Sequence, residues 1–149
     1  IPLRLVGSEM CIRDSILGDG PEYQTLTALA VKEGVDSRFH LLGAVDNPYP
    51  YYKAADIYVH ATRFEGKSIA IQEAQVLGCA IIASDCSGNR EQINDGVDGI
   101  LCGFTPAGIA DGIEKLITNP ALATKFRMAS AEKQINHLEE LQNIYGMMR

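Results

Sequence analysis

Two glutamates, Glu65 and Glu73, stand eight residues apart, one just before an expected helix and one within it. Ile69 precedes Glu73 by four residues, and Val76 and Leu77 follow it by three and four, so its nearest neighbours on the helix surface are apolar. This pattern supplies no partner charge for the Glu73 carboxylate. The pattern therefore raises the question of what completes its surroundings.

The residues between the two acids suit an anion. Gly66 allows close approach of a ligand to the backbone, and Lys67, Ser68 and Ile69 follow it at the expected helix N-terminus. The unpaired amides and the dipole of a helix N-terminus favour a phosphate or a diphosphate. The segment therefore predicts a diphosphate-binding turn.

The two carboxylates suit the groups on either side of such a diphosphate. A vicinal diol can donate two hydrogen bonds to one carboxylate, and Glu73 is placed to accept them. Glu65, before the turn, would face whatever is attached beyond the phosphates. A diphosphate with a ribose on one side and a hexose on the other is a nucleotide sugar. The spacing alone leaves an alternative open, in which Glu65 caps the helix and Glu73 makes a surface ion pair.

Composition narrows the class of protein. The 149 residues are 46% hydrophobic and 21% charged, which is typical of one globular domain. A net charge of −6 argues against a nucleic-acid-binding surface. No apolar run approaches the roughly 18 residues needed to cross a bilayer. The four cysteines and three histidines are scattered without the spacing of metal ligands, so we predict buried free thiols, no metal site and no cofactor.

Short apolar runs alternate with helix-like segments along most of the chain. Strands are predicted at 15–18, 38–43, 56–61, 79–84 and 99–102, helices at 22–33, 68–77, 89–93, 106–117 and 121–145, and a Pro/Tyr-rich turn at 47–55. Strands that are short and continuously apolar, each separated by a helix, indicate a parallel sheet covered on both faces. We therefore predict an α/β, doubly wound, Rossmann-like domain, which binds ligands at the carboxyl ends of its strands.

Residues 1–15 carry no pattern that continues into this alternation. The run "LVGSEMCIRDS" also resembles a translated sequencing-adaptor tail. We interpret 1–15 as a non-native or disordered leader and 16–149 as the folded domain.

The run "ILGDGP", Ile16 to Pro21, is a strand end followed by a glycine-rich turn. Such a turn, here with Gly18 and Gly20, can bring backbone amides close to a phosphate. It is neither a GxGxxG nor a Walker sequence, so a plain structural turn is an equal alternative.

Three runs, "GDGPE", the segment 39–78 and "IIASDCSGNREQINDGVDGIL", together resemble the carboxyl-terminal domain of family 4, GT-B-fold, retaining glycosyltransferases (glycosyl transferases group 1). The resemblance extends over about residues 16–120 and is closest to the bacterial enzymes that build cell-surface polysaccharides. It implies that Glu73 holds the ribose hydroxyls of the donor and that Glu65, the catalytic residue, contacts the donor sugar. It also implies donor-binding positions around the diphosphate and the base: Gly66, Lys67, Ser68, Ile69, Gly18, Gly20, Gly43, Ala44 and Val45.

The resemblance implies transfer of a hexosyl unit from a nucleotide sugar, UDP-linked, to a glycan or lipid-linked acceptor without a metal. It further implies a cytoplasmic protein, with peripheral association at the inner face of the membrane. The family's basic pair for the leaving phosphate and its amino-terminal, acceptor-binding domain have no match here, so we expect the isolated chain to be inactive. The alternative is a non-catalytic nucleotide-sugar-binding module. A sugar-nucleotide epimerase fits the spacing of the acids poorly.

Other polar residues are given simpler roles. Tyr49, Tyr51 and Tyr52 are expected to pack the turn at 47–55 and the helix after it rather than to bind a ligand. Glu91 is interpreted as a structural cap.

Overall fold

The computed structural model of the chain describes residues 2–6 and 11–147, with side chains from Asp14 to Lys133. The strands are β1 Pro2–Val6, β2 Cys11–Ile16, β3 Phe39–Leu41, β4 Ile57–His60, β5 Ala80–Ser84 and β6 Gly99–Cys102. The helices are α1 Tyr23–Lys32, α2 Tyr49–Ala54, α3 Ile69–Val76, α4 Ser87–Gln92, α5 Pro106–Ile117 and α6 Pro120–Met147. The predicted alternation of strands and helices is therefore present.

The strands form one six-stranded sheet in the order β3-β2-β1-β4-β5-β6. β2 and β3 are parallel, as are β4, β5 and β6, whereas β1 runs antiparallel to both β2 and β4. All strands except β1 therefore point the same way, and their carboxyl ends meet at one edge. The doubly wound α/β sheet is confirmed, and β1 is an element that the sequence did not predict. The non-native origin of residues 1–15 stays a prediction.

The strand order reverses at β1. From β2 the chain moves outward to β3, then crosses to β4 and continues in the opposite direction to β5 and β6. In doubly wound sheets the crevice at such a reversal, outside the carboxyl ends of the strands, is where ligands bind. The fold therefore places the turn after β2 and the loop after β4 on either side of this point.

The core lies on both faces of β5, every residue of which is buried. On one face, Ala80 and Ile82 pack against Leu116 of α5 and Phe126 of α6. On the other face, the alternate residues of β5 pack against α3 and against Ile93, the residue that follows α4. The two-sided cover explains why this strand reads as continuously apolar rather than alternating. Cys79 and Cys102 are buried free thiols, as predicted.

The segment 47–55 differs from its prediction. It was predicted to be a turn, but Tyr49–Ala54 forms the short helix α2. Pro48 is its N-cap residue and Pro50 stands in its first turn, where a missing amide hydrogen costs nothing and the fixed φ of proline suits a helix. Proline at these positions starts a helix, although the same composition is typical of turns.

The loop at 61–68, between β4 and α3, is held from both neighbouring elements. At its start, the Thr62 amide donates to Ser84 Oγ at the end of β5 (3.0 Å). At its end, Gln92 of α4 pairs with the backbone of Ser68, accepting from its amide (2.6 Å) and donating to its carbonyl (2.8 Å). Gly88 lies so close to the backbone here that a Cβ atom would overlap a carbonyl oxygen of the loop. The loop is therefore fixed in position by α4.

Helix α6 holds α4 in turn. The Lys133 ammonium donates to the Gln92 carbonyl (2.6 Å) and to Asp98 Oδ2 (2.8 Å), and Ser130 Oγ donates to the Asp98 carbonyl (3.0 Å). Asp98 is only 2% exposed, and it also accepts from the Asn94 amide (2.8 Å), so its buried carboxylate is paired. These contacts connect α6 to the loop at 61–68 through Gln92.

We predict that Gln92→Met lowers the free energy of unfolding by about 2–4 kcal/mol, because two buried backbone groups lose their partner and each costs roughly 1–3 kcal/mol when unpaired. Urea denaturation followed by circular dichroism measures the change. Gln24→Met, at an exposed position of α1, is the matched control and should have little effect. Equal stability of the two variants would show that the Gln92 pairing does not hold the loop.

Candidate functional site

The turn after β2 and the loop after β3 are joined at the carboxyl edge of the sheet. The Gly18 amide donates to the Gly43 carbonyl (2.7 Å), and both glycines have positive φ, +135° and +68°. Other residue types rarely adopt these conformations, which explains glycine at both positions. Gly20, Ala44 and Val45 lie in the same two loops. The Gly20 amide donates to Asp19 Oδ1 of the neighbouring residue (2.9 Å). The structure therefore places these five predicted residues on the β3 side of β1.

The N-terminus of α3 lies on the other side of β1, after β4. Ser68 is its N-cap residue, and Ser68 Oγ accepts from the Ile71 amide (3.4 Å). In the described part of the chain the amides of Gly66, Lys67 and Ile69 have no hydrogen-bond partner. Three of the four amides predicted to hold a diphosphate are therefore available to a ligand.

The prediction for the Ser68 amide needs correction. This amide donates to Gln92 Oε1 (2.6 Å), and Ser68 is only 5% exposed. The sequence predicted a free Ser68 amide, because the first amides of a helix have no hydrogen-bond partner within that helix. A contact from α4, 24 residues along the chain, supplies that partner. The structure therefore assigns Ser68 to the support of the turn rather than to its free amides.

Glu65 is held by a side chain that the sequence analysis did not select. His60, the last residue of β4, lies with Nε2 2.9 Å from Glu65 Oε2, and its Nδ1 lies 3.0 Å from the Tyr58 hydroxyl. A carboxylate only accepts, so Nε2 carries a proton and donates to Glu65. Burial raises the pKa of Tyr58 far above its ordinary value, so its hydroxyl stays protonated beside Nδ1. The signal in the sequence was a histidine at a strand end, five residues before Glu65.

Glu73 lies on the partly open face of α3. Its apolar neighbours Ile69 and Val76 are 70% and 62% exposed, so protein packing does not cover this face. Glu73 Oε1 accepts a hydrogen bond from the Tyr49 hydroxyl (3.0 Å), and this contact raises the pKa of Tyr49. Glu73 makes no ion pair among the described residues, in contrast to the surface ion pair of the alternative reading.

The three tyrosines of α2 do not share one role. Tyr52 packs as predicted, with its ring edge against Tyr58 at a centroid distance of 5.2 Å. Tyr49 also contacts the following helix, but it does so through a hydrogen bond from its hydroxyl to Glu73 of α3, and the residue is 49% exposed. The structural-cap role of Glu91 is wrong, since α4 begins without a side-chain cap and Glu91 is exposed.

Two basic residues near the site are engaged within the protein. The Arg63 guanidinium lies 5.2 Å from the centre of the Phe104 ring, and Arg90 forms a two-contact pair with Asp85. That pair holds the pKa of the Asp85 carboxyl below its usual range. Lys67 is exposed and makes no ion pair with the described residues, so it is the basic side chain of the loop that is open to a ligand.

Among the described residues, no three His, Cys, Asp or Glu side chains lie close enough to hold a metal ion. Within the same residues, no helix is both long and apolar enough to cross a membrane.

The chain matches a known protein family over most of its length. The family model described as "Glycosyl transferases group 1" matches residues 9–133. The chain is 29% identical over 111 residues to the lipopolysaccharide core biosynthesis glycosyltransferase LpsE of Rhizobium meliloti, covering 74% of this chain and 33% of LpsE. It is 30% identical over 106 residues to a lipopolysaccharide 1,6-galactosyltransferase of Salmonella typhimurium, covering 68% of this chain and 29% of that protein. The chain thus spans about a third of the length of these curated relatives.

A solved structure shares the fold of this chain. The structure of Anabaena Alr3699/HepE in complex with UDP superposes with a TM-score of 0.78 at 19% identity, covering 91% of this chain and 40% of that one. The sequence match and the shared fold together assign the chain to a family. The chain belongs to the glycosyl transferases group 1 family and has the Rossmann-like fold of one half of a GT-B protein.

Proposed function

We propose that this chain is the donor-binding part of a family 4, retaining glycosyltransferase. The whole protein would transfer a hexosyl unit from a nucleotide sugar, UDP-linked, to a glycan or lipid-linked acceptor in cell-surface polysaccharide synthesis. One observation carries the proposal: a helix N-terminus with unpartnered amides stands between two carboxylates, each already oriented by a hydrogen bond from a neighbouring side chain.

The diphosphate is assigned to the turn at 66–69. The amides of Gly66, Lys67 and Ile69 have no partner among the described residues, and the dipole of α3 adds partial positive charge at the same point. The exposed Lys67 ammonium can add a further charge. These groups would stabilise the negative charge that grows on the diphosphate as it leaves the sugar.

The nucleoside is assigned to Glu73. Its Oε2 atom has no hydrogen-bond partner among the described residues, so the carboxylate can accept from both ribose hydroxyls. The exposed apolar side chains around it, Ile69 and Val76, then gain cover from the nucleoside. The base is assigned to the loop after β3, at Gly43 to Val45, with Gly18 and Gly20 beside it.

The donor sugar is assigned to Glu65. His60 orients this carboxylate from one side, so the other acceptor positions are directed at sugar hydroxyls. In the proposed reaction the bond from the anomeric carbon to the phosphate oxygen breaks, and the acceptor oxygen bonds to that carbon on the face just vacated. The acceptor proton passes to the departing phosphate oxygen. The configuration at the anomeric carbon is thereby retained.

The names of the relatives support the acceptor class. Two of them act in lipopolysaccharide synthesis by their names, and a structural neighbour was crystallised with UDP. We place the whole protein in the cytoplasm, peripherally at the inner face of the membrane, where a lipid-linked acceptor is presented. The net charge of −6 supports the absence of a nucleic-acid partner.

Transfer is proposed to need an acceptor site outside these 149 residues. Positioning of two reactants is worth about 7–11 kcal/mol of barrier, so the isolated chain should bind the donor without transferring the sugar. A second candidate is a non-catalytic nucleotide-sugar-binding module. The observation that favours it is the engagement of Arg63 and Arg90 within the protein, which leaves Lys67 as the open basic side chain of the loop. Full transfer by a longer form of the protein would exclude the module.

We predict that Glu73→Gln weakens UDP binding about 10- to 150-fold, because one or more charge-assisted hydrogen bonds, each worth roughly 1.5–3 kcal/mol, are lost. Isothermal titration calorimetry of this chain with UDP measures the change. Glu114→Gln, at an exposed position of α5, is the matched control and should bind as the wild type does. Equal UDP affinity in both variants would remove Glu73 from the site.

We further predict that UDP binding does not depend on a divalent cation, because helix-terminal amides take the charge of the diphosphate. The same titration in EDTA and in excess Mg²⁺ or Mn²⁺ should give one affinity. Binding that disappears in EDTA and returns with Mn²⁺ would contradict the metal-free site.

A further inference from the structure

The hydrogen bond from Tyr49 to Glu73 connects two parts of the candidate donor site. Tyr49 is the first residue of α2 and follows the loop assigned to the base, whereas Glu73 lies in α3, 24 residues further along the chain. The phenol oxygen lies 3.0 Å from Glu73 Oε1. Neither α2 nor its tyrosines belong to the set of donor-binding residues that the family resemblance implies.

Packing alone does not explain the position of Tyr49. The residue is 49% exposed, so about half of its surface gains nothing from burial. Its backbone is nevertheless fixed, since the Tyr49 amide donates to Asn47 Oδ1 (3.1 Å) and prolines stand on both sides of it. The rigid start of a helix therefore presents a half-exposed phenol to a carboxylate.

The contact leaves Glu73 able to bind a ligand. An ionised carboxylate has about four acceptor positions, of which Tyr49 uses one on Oε1. Oε2 has no partner among residues 14–133, so enough positions remain for the two hydroxyls of a ribose. The phenol thus restrains the rotation of the carboxylate without occupying the positions that a diol needs.

We propose that Tyr49 is a positioning residue for the nucleoside, whose hydroxyl holds the Glu73 carboxylate in the orientation that receives the 2′- and 3′-hydroxyls of the ribose. Restraining a flexible side chain before binding lowers the entropy lost on binding. Tyr49 therefore contributes to selectivity for ribonucleotides over 2′-deoxyribonucleotides. The inference rests on the nucleoside role proposed for Glu73.

The test compares UDP with 2′-deoxyuridine diphosphate by isothermal titration calorimetry on the 149-residue chain. Tyr49→Phe keeps the ring and removes only the hydroxyl. We expect it to weaken UDP binding about three- to tenfold, the range for one hydrogen bond, and to weaken the deoxy analogue by about twofold or less. In a Glu73→Gln background, Tyr49→Phe should cause no further loss, because the two residues act as one unit.

Tyr51→Phe is the matched control, since Tyr51 belongs to the same short helix and its hydroxyl has no hydrogen bond among the described residues. It should change the affinity for neither nucleotide. Thermal unfolding of each variant checks that the fold is intact. A loss of selectivity for UDP with an unchanged melting temperature is then due to the binding site and not to unfolding.

The outcomes separate this inference from the proposed function. If the wild-type chain does not bind UDP, the proposed function fails and the inference fails with it. If Glu73→Gln weakens UDP while Tyr49→Phe leaves it unchanged, tightens it, or weakens both nucleotides equally, the proposed function stands and the role of Tyr49 is wrong.

Discussion

The side-chain amide of Gln92 pairs with both backbone polar groups of Ser68, and the geometry of the candidate site depends on that pairing. Ser68 is the residue at which the loop after β4 becomes α3, so fixing its peptide groups fixes the direction of the amides around it. The N–H and C=O groups of a buried segment between a strand and a helix have no partner in the sheet or the helix, so they must hydrogen-bond to another part of the protein. Glutamine supplies a donor and an acceptor in one planar group, which is why a single side chain satisfies both. The close approach of Gly88 brings α4 near enough for Gln92 to reach.

The carboxylates of Glu65 and Glu73 are oriented in the same way. Each accepts a hydrogen bond from a side chain other than lysine or arginine: Glu65 from His60, and Glu73 from Tyr49. An arginine would neutralise the carboxylate and occupy it with a bidentate contact. A single hydrogen bond orients the group and leaves its charge and most of its acceptor positions for a ligand. Preorganisation of this kind is what a binding site requires of the residues around it.

The sequence predicted what depends on local pattern and missed what depends on distant contacts. The apolar run of β5 and the whole of α5 were predicted correctly, because periodicity and turn residues act within a few positions. The hydrogen bonds of Tyr49, His60 and Gln92 were not predicted. Each of them joins two parts of the chain whose proximity depends on the fold. Helix α2 was missed because proline and tyrosine are as typical of turns as of a helix start. Strand β1 was missed because its residues carry no pattern that continues into the domain.

The contact from Lys133 of α6 to the Gln92 carbonyl connects the longest helix to the first turn of α3. Local opening of α6 and ordering of those amides are therefore linked equilibria. A ligand that binds only the ordered amides lowers the population of molecules in which α6 has detached. Detachment of α6 weakens ligand binding by the same free energy. Amide hydrogen exchange in α6 would report ligand binding at a distance, in a helix that supplies no residue to the turn at 66–69.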